Sequence, residues 1–516
     1  MNTEIELKLR MKPDELGRLR RHPLLRELRL AVARTRKLHN VYFDTDDLAL
    51  RKNRMALRVR HIGGHRIQTL KASDAAGGGD GAAHRYRESE STIVGDRPDL
   101  DRIEDGDMRE SLPVSGAEEL KEAFVSDITR STTPLVLEDS EIELAVDTGE
   151  IATANGSERV CEAELELKSG RPARLYELAL RLHDRVPFTV EYRSKAARGY
   201  DLLLGAKPQP TKAAPLDLDP GLTAWQGFVV IARQCLQHLR ANEDCSRLGE
   251  DPEGVHQLRV GIRRLRAAFT LFAGVLPEDQ RAHFVSELRW AQQSFGPARD
   301  WDVFIGETLK PLLERLPDDD SVAALMEAAE RARGEAYELV AATLDERRYT
   351  RLQLQLDLWL ESDGDRIGAA VEGGSQPGPW NRPLGEVARE VLALRHRKVR
   401  KLARKFDELE DDQRHQLRIN AKKARYAAEF FRGLFSRKVA QQYARRLAEM
   451  QDCLGSMNDA VVGRRLIDEL AAAGAELGRA NDLLAGWHAA RIAGDMPRAA
   501  RISKKVAKLY PFWDEV

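Results

Sequence analysis

Two short segments of this chain alternate charged and apolar residues and end in lysine. The first runs from Glu4 to Lys8 as EIELK, and the second runs from Glu162 to Lys168 as EAELELK. Because successive side chains of a β-strand point to opposite faces, each segment predicts a strand with its charged groups on one face. Carboxylates in line repel one another unless a cation lies among them, and Mg²⁺ and Mn²⁺ prefer carboxylate oxygens. Either segment alone is typical of a solvated strand face, but the recurrence favours a metal site.

Length and composition limit the classes of protein to consider. A chain of 516 residues is too long for one ordinary core, so two or more domains are expected. Its 82 basic and 83 acidic side chains nearly cancel, so only local charge segregation can indicate partners. The four cysteines have no paired spacing, which argues against a disulfide scaffold or a zinc site. With no apolar signal segment and no run of about 18 apolar residues, a cytoplasmic protein without a membrane partner is expected.

The pattern of the sequence changes near residue 210. Residues 1–205 contain short alternating segments, and a Pro-rich linker follows at 206–222. From 223 to 516 the apolar period is helical, and a Gly- and Pro-rich stretch divides this part into about 223–372 and 380–516. The predicted fold class is therefore α+β in two domains, a β-rich domain followed by an all-α pair of bundles.

The first domain is predicted to be a barrel with a charged interior. Strands are expected at 3–10, 37–45, 55–62, 65–72, 84–92, 124–131, 141–148 and 158–168, and helices at 13–21, 116–124 and 173–185. About eight antiparallel strands, each with one polar face, can close in this way. Arg58 and Arg60 share a face of one strand, and basic residues of this kind suit phosphate oxygens. The glycine-rich run at 77–81 lacks the Lys-Ser/Thr ending of a P-loop and is interpreted as a hairpin loop.

Several motifs in this domain resemble the CYTH superfamily of triphosphate tunnel metalloenzymes. The motifs are Glu4-x-Glu6-x-Lys8, Tyr42-Phe43-Asp44-Thr45, Leu57-Arg58-Val59-Arg60, Leu70-Lys71, Glu164-x-Glu166 and Ser194-Lys195-x-x-Arg198-Gly199. The resemblance implies a β-tunnel that binds a triphosphate and hydrolyses or cyclises it with Mg²⁺ or Mn²⁺. The implied metal ligands are Glu4, Glu6, Asp147, Glu164 and Glu166. The implied triphosphate-binding residues are Lys8, Arg58, Arg60, Lys71, Arg85, Arg87, Arg130 and Lys195, and the implied catalytic residues are Glu4, Glu6, Lys8 and Lys195.

Three positions in this set are less settled by the sequence. Arg85 and Arg87 share a strand face, and the choice between them as a phosphate ligand stays open. Glu88 and Glu90 lie on the other face of that strand, so we interpret them as outward-facing surface residues. Glu162 is either an interior residue or part of the rim.

The helical part contains an internal repeat with two basic stripes. The segment from Val255 to Arg266 is echoed by the segment from Arg414 to Arg425, and the paired histidines, His256 and His415, are 159 residues apart. Asp300 and Asp459 show the same offset of 159 residues. The candidate polyanion-binding residues are His256, Arg259, Arg263, Arg264, Arg266, His415, Arg418, Lys422, Lys423 and Arg425. Like charges at helical spacing cost stability, so their repetition favours a polyanion site over a solvated bundle face.

This second part resembles the CHAD domain, a helical module that binds inorganic polyphosphate. The resemblance covers about 225–510 and rests on the paired His-x-x-Arg-x-x-x-Arg/Lys-Arg/Lys motifs. Together the two resemblances imply an inorganic triphosphatase acting on tripolyphosphate, and on nucleoside triphosphates as further substrates, fused to a polyphosphate-binding domain. An adenylate cyclase, a thiamine triphosphatase and a non-catalytic polyphosphate-binding protein stay open as alternatives. Nucleic acid is not an expected partner, since no recognition motif or cluster of stacking aromatics accompanies the stripes, and the sequence indicates no oligomeric state.

Overall fold

A computed structural model describes residues 3–73, 83–372, 378–474 and 478–514 of the chain, without the side chains of 363–372. The glycine-rich run at 77–81 and most of the stretch that divides the helical part lie outside the described residues. The chain forms two compact units. The first contains Met1–Pro208 and Asp345–Asp365, and the second contains Gln209–Leu344 and Arg366–Val516. Among the described residues, no helix is long and apolar enough to cross a membrane.

Eight antiparallel strands of the first unit close into a barrel. They are β1 (Thr3–Arg10), β2 (Arg34–Asp44), β3 (Met55–Ile62), β4 (His65–Ser73), β5 (His84–Ile93), β6 (Lys121–Leu137), β7 (Ser140–Thr153) and β8 (Gly156–Ser169), with a short β9 (Thr189–Val190) beside β1. The order is β5-β4-β3-β2-β6-β7-β8-β1, and β1 pairs again with β5 to close the ring. The predicted barrel and its eight strands are confirmed.

Six helices accompany the barrel. They are α1 (Pro13–Arg20), α2 (Pro23–Leu28), α3 (Ala49–Lys52), α4 (Gly106–Glu110), α5 (Ala173–His183) and α6 (Lys195–Leu204). The helices predicted at 13–21 and 173–185 are confirmed, but the helix predicted at 116–124 is wrong. A single 3₁₀ turn spans Ala117–Glu119, and β6 begins at Lys121. Pairing of β6 with both β2 and β7 outweighs the local helix propensity of this segment.

The apolar core of this unit lies largely outside the barrel wall. Leu7 and Leu9 of β1 and Leu165 of β8 are fully buried, and they belong to the same cluster as Leu175 and Leu178 of α5. Because side chains alternate along a strand, the neighbours of these leucines face the barrel interior. The outer apolar faces therefore carry the packing, and the interior is left for charged residues.

The helical unit is built from two sets of matching helices. The first set is α7 (Ala224–Arg240), α8 (Glu243–Leu248), α9 (Pro252–Leu271), α10 (Glu278–Ser294), α11 (Gly296–Phe304), α12 (Lys310–Arg315) and α13 (Asp320–Asp345). After α14 (Arg347–Glu372), the second set is α15 (Leu384–Ala403), α16 (Asp411–Phe431), α17 (Arg437–Cys453), α18 (Gly455–Ala472) and α19 (Ala480–Val506). Helices α9 and α16 match and contact each other, as do α11 and α18. The predicted pair of duplicated bundles is confirmed.

Helix α14 contributes its first part to the barrel unit. Leu354 is fully buried within the same apolar cluster as Leu7 and Leu9, and Leu358 packs against that cluster. At its start, Arg351 pairs with Asp184 at 2.5 Å. A helix that lies far from the barrel in sequence thus completes part of the barrel's outer packing.

Candidate active site

Strand register determines which side chains share the barrel interior, because directly paired residues lie on the same face of a sheet. The interior pairs include Glu6 with Glu166, Lys8 with Glu164, Arg130 with Asp147, Asp147 with Glu162, and Glu4 with Tyr86. The sequence-predicted residues that lie on this face are Glu4, Glu6, Lys8, Arg58, Arg60, Lys71, Arg130, Asp147, Glu164 and Glu166. Carboxylates and cations from all parts of the first 205 residues therefore converge in one interior.

Lys195 reaches this interior from the first turn of α6, whose N-terminus is capped by the side chain of Ser194. Its Nζ lies 2.7 Å from Oδ2 of Asp147 and 2.8 Å from Oε1 of Glu164, and it also contacts Glu162. Carboxylate oxygens of these three acids lie within 4.8 Å of one another. We call the three acids and Lys195 the Lys195 cluster.

Glu162 lies inside the barrel and not at its rim, which settles the position left open by the sequence. Its side chain is about 1% exposed. Nη1 of Arg198 donates to its Oε2 at 2.6 Å, and Nε of the same arginine donates to Glu158 at 2.8 Å. Glu162 is therefore part of the same ion-pair network as Asp147 and Glu164.

The carboxylates of the Lys195 cluster are fully ionised and already paired. Burial raises the pKa of Glu164, but Arg130 and Lys195 outweigh it and hold that pKa well below its usual range. Burial likewise opposes ionisation of Asp147, yet Lys195 and Arg130 lower its pKa. Arg130 donates to Asp147 from Nε at 2.8 Å and from Nη2 at 2.6 Å. A divalent cation at this cluster would have to displace an ammonium or a guanidinium.

A second acidic group, which we call the Glu4 cluster, consists of Glu4, Glu6, Glu88 and Glu166. Burial raises the pKa of Glu166, and Glu4 adds to this despite the nearby Lys168. Burial also raises the pKa of Glu88, again with a contribution from Glu4. Negative charge is thus less fully compensated here than in the Lys195 cluster, and a hard cation would relieve the repulsion.

Lysines neutralise only part of the Glu4 cluster. Lys8 pairs with Glu6, and Lys71 pairs with Glu4 and lies 3.4 Å from Glu88. Burial raises the pKa of Glu6, but Lys8 and Lys71 outweigh it and lower the pKa to about 2. The oxygen donors of the Glu4 cluster fit Mg²⁺ or Mn²⁺ in chemistry and in charge.

The arginines of the interior repel one another. Burial, together with Arg58 and Arg130, lowers the pKa of Arg60 to about 9. Nε of Arg60 donates to Oδ1 of Asn40 at 2.9 Å, which orients its guanidinium without neutralising it. Buried guanidinium groups of like charge lose stability unless an anion joins them, so this part of the interior is suited to a polyanion.

The prediction that Arg85 and Arg87 face the interior is wrong, and so is the outward placement of Glu88 and Glu90. Nη2 of Arg87 lies 3.0 Å from both carboxylate oxygens of Asp105, outside the barrel. Arg85 instead lies 3.5 Å from Glu361 of α14. Alternation along β5 defines two faces, but only its pairing with β1 decides which of them is inside.

The basic stripes of the helical unit meet where α9 and α16 contact each other. Nε of Arg263 donates to the hydroxyl of Tyr426 at 2.8 Å across the two repeats. Burial lowers the pKa of Lys422 to about 7, and Arg263 and Arg418 add to this. We call the converging residues the α9–α16 basic cluster; they are His256, Arg259, Arg263, Arg418, Lys422 and Arg425.

The remaining stripe residues have other surroundings. Arg264 lies 3.7 Å from Glu429 and above the ring of Phe430, so a carboxylate does accompany this part of the stripe. Nη1 of Arg266 donates to Gln292 at 2.7 Å, and Arg266 lies near Lys423, the pKa of which is lowered by burial and by Arg395. His415 lies on α16, near its start.

Comparison with known protein families identifies both parts of the chain. A model of the CYTH domain matches residues 2–200, and a model of the CHAD domain matches residues 230–468. This chain carries a CYTH domain followed by a CHAD domain. The charged barrel is the CYTH domain, and the duplicated helical bundles are the CHAD domain.

Individual relatives match one part of the chain or the other. An inorganic triphosphatase of Haemophilus influenzae is 30% identical over 207 residues, which are 40% of this chain and 56% of the relative. The chain thus spans about half the length of this curated relative. The CHAD domain of the plant Ricinus communis matches with 30% identity, a TM-score of 0.49, and coverage of 59% of this chain and 98% of that one. A Hippeastrum protein named as an adenylyl cyclase with a dominant triphosphatase activity matches with 20% identity, a TM-score of 0.30, and coverage of 39% and 96%.

Sequence reasoning missed several interior residues of the CYTH domain. His84 and Tyr86 of β5 lie on the interior face, in register with Glu6 and Glu4. Asn40 of β2 is buried beside Arg60. Period-two alternation was the available signal, but for β5 it was assigned to the wrong face.

Proposed function

We propose that the protein is a metal-dependent inorganic triphosphatase that hydrolyses tripolyphosphate to diphosphate and phosphate. The observation that carries this proposal is the closed barrel interior, in which unneutralised arginines share one space with incompletely compensated carboxylates. A polyanion and its metal together would satisfy both groups, whereas either alone would satisfy one. The triphosphatase relative of the CYTH part supports the same reaction class.

Binding of the triphosphate is assigned to the basic interior residues. Arg58, Arg60 and Arg130 come from neighbouring strands of the barrel and would contact phosphoryl oxygens through bidentate guanidinium groups. Lys8 and Lys71 lie beside the Glu4 cluster, where they would neutralise charge that develops on the transferred phosphoryl group. Because phosphoryl transfer needs mainly positioning and charge stabilisation, this arrangement is sufficient without a covalent nucleophile.

The Glu4 cluster would hold the metal, with Glu4, Glu6 and Glu166 as its ligands. A bound Mg²⁺ or Mn²⁺ supplies charge neutralisation and a water of lowered pKa. Asp147 and Glu164 would act differently from the sequence-based expectation, since they hold Lys195 and Arg130 in place. The role of Lys195 is then to fix the neutral network that supports the arginines.

A compact inorganic substrate is favoured over one with an organic group. The interior beside α6 is filled by buried apolar side chains, including Phe124, Ile128 and Val160, together with Tyr200 of α6 itself. A nucleoside or a thiamine moiety would need space of its own next to the phosphates. The packed apolar end therefore supports tripolyphosphate as the substrate.

Phosphate release from tripolyphosphate, ATP and thiamine triphosphate, measured side by side with Mg²⁺ and with Mn²⁺, tests this proposal. We expect kcat/KM for tripolyphosphate to exceed the values for the other two by at least about tenfold, because each organic group would clash with the filled end. An equal or greater kcat/KM for thiamine triphosphate, or formation of cyclic AMP from ATP, would assign the tunnel to one of the alternative enzymes.

The CHAD domain is proposed to bind inorganic polyphosphate through the α9–α16 basic cluster. Its positive groups come from both repeats and are partly buried, so they repel one another in the absence of an anion. A flexible polyanion would neutralise them and release its condensed counterions, as nucleic acids do on binding basic proteins. Binding should therefore weaken steeply as the salt concentration rises.

The variant R259A/R263A/R418A/K422A of the full-length chain is expected to weaken binding of long-chain polyphosphate by about 100-fold or more and to flatten its salt dependence. Fluorescence anisotropy of labelled polyphosphate at several salt concentrations measures both effects. Replacement of four exposed basic residues of the same unit, R445A/K438A/R464A/K504A, is the matched control and should leave most of the affinity. Equal binding by both variants, or equally tight binding of duplex DNA, would contradict this assignment.

Binding should also depend on pH through Lys422. Its pKa is lowered to about 7 by burial and by Arg263 and Arg418, so its ammonium is fully charged below this pH and is lost above it. Affinity for polyphosphate should thus fall as pH rises from 6 to 8. The substitution Lys422→Arg keeps the charge and should remove most of this pH dependence, and an unchanged profile in this variant would exclude Lys422 as its source. His256 should contribute little in this range, since burial and Arg299 lower its pKa to about 4.

A further inference from the structure

Two residues of the CYTH interior that carry no assigned role form a chain of contacts behind the Glu4 cluster. The ring of Tyr86 lies 5.6 Å from Nζ of Lys8 and 5.4 Å from Nζ of Lys71. Its hydroxyl lies 2.9 Å from Nδ1 of His84, and the two rings are stacked with centroids 5.6 Å apart. One aromatic ring thus contacts both ammonium groups of this part of the interior.

The hydrogen bonds of His84 define its tautomer and its direction. Nε2 of His84 lies 3.3 Å from the carbonyl oxygen of Glu191, which can only accept, so Nε2 carries the proton. Nδ1 is then the acceptor for the Tyr86 hydroxyl. The amide of Glu191 donates in turn to the carbonyl of Lys8 at 2.9 Å. These contacts form a closed ring that begins at the Lys8 backbone and returns to the Lys8 side chain.

We propose that Tyr86 and His84 are positioning residues, which hold the ammonium groups of Lys8 and Lys71 towards the triphosphate. The inference rests on the proposed function and names two further residues that it requires. Without a metal, Lys8 and Lys71 are held by Glu6 and Glu4. If these carboxylates become metal ligands, both lysines lose their charged partners, whereas the uncharged ring of Tyr86 can still hold them. His84 fixes the plane of that ring, so the lysines stay oriented when the substrate binds.

Calorimetric binding of tripolyphosphate to the full-length protein, with and without Mn²⁺, tests this inference. Tyr86→Leu removes the ring and should weaken tripolyphosphate binding about tenfold, because two cation–π contacts are lost. His84→Phe keeps a ring but removes the acceptor for Tyr86, and a loss of about threefold is expected. In steady-state kinetics, KM for tripolyphosphate should rise more than kcat falls, since Lys8 and Lys71 contact the substrate before and during the reaction.

The matched control is Tyr176→Phe, which removes another buried hydroxyl of the same unit. Its oxygen accepts from the amide of Ala83, next to His84 in sequence, but it belongs to the apolar cluster outside the barrel. This variant should bind tripolyphosphate as the unmodified protein does. A Tyr86→Leu variant with a lower melting temperature but unchanged tripolyphosphate affinity would show that Tyr86 only packs, which would overturn the inference.

Two further outcomes are decisive. If Tyr86→Leu does not fold, His84→Phe decides, and an unchanged affinity in that variant also overturns the inference. If the unmodified protein binds tripolyphosphate but hydrolyses none, the proposed function fails while the affinities of the variants still test the positioning role. The two proposals can therefore fail separately.

Discussion

Glu166→Gln should lower kcat/KM for tripolyphosphate by about 100-fold or more without destabilising the metal-free protein, because a proposed metal ligand is lost. Burial and Glu4 raise the pKa of Glu166, so its ionisation opposes folding at pH values above the unfolded pKa. A neutral glutamine removes this unfavourable charge. The melting temperature of the metal-free variant at pH 7 should therefore equal or exceed that of the unmodified protein.

Glu164→Gln is the matched comparison, two residues away on the same strand. Arg130 and Lys195 hold the pKa of Glu164 well below its usual range, so its ionised form stabilises the folded state at pH values above the unfolded pKa. Glu164→Gln should lower the melting temperature at pH 7, and the difference from the unmodified protein should shrink as pH falls towards the folded pKa. Differential scanning calorimetry from pH 4 to pH 8 measures both variants. Equal destabilisation by the two substitutions would contradict the division into a metal-holding and an ion-paired cluster.

Leu354→Ala should destabilise the CYTH unit by about 2–5 kcal/mol, although this residue lies some 150 positions beyond the end of the matched CYTH domain. Its side chain is fully buried in the apolar cluster that covers the outside of the barrel. Urea unfolding followed by loss of triphosphatase activity measures the effect. Leu339→Ala on α13, where the side chain is 47% exposed, is the control and should change the midpoint little. Similar midpoints for the two variants would show that α14 does not support the barrel.

The same contacts predict how fragments behave. A fragment of residues 1–208 lacks the helix that covers part of its apolar face, so it should unfold at a lower urea concentration than the barrel in the full chain. Joining residues 345–365 to this fragment through a flexible linker should restore most of the loss, and the substitution Leu354→Asp in the joined segment should abolish the rescue. A fragment that is as stable alone as with the segment would support an independent domain of residues 1–205.

Local alternation predicted the barrel strands well because burial on one face is a property of each strand by itself. The face of β5 was assigned wrongly because that choice depends on its pairing with β1, about 80 residues away in sequence. The segment that begins at Ala117 favours a helix by composition, but pairing with two neighbouring strands determines its structure.

Charge compensation in the site could not be predicted from sequence spacing. Glu164 and Glu166 have the same type and strand face, yet Lys195 and Arg130 surround the first while Glu4 and Glu143 oppose the second. Lys195 comes from α6, and its placement depends on how that helix packs at the end of the barrel. The contribution of Leu354 to the barrel core has no local signal either, since an apolar residue of a helix is equally typical of a bundle.

The most direct test of the account is phosphate release from tripolyphosphate by the full-length protein, first with a chelator and then with Mg²⁺ or Mn²⁺ restored. We expect the rate to fall to background with the chelator and to return with the metal, whereas Glu166→Gln should need a higher metal concentration to reach half of its own maximal rate. Hydrolysis that persists with the chelator, or the same metal requirement in Glu166→Gln, would contradict a metal-dependent centre at the Glu4 cluster.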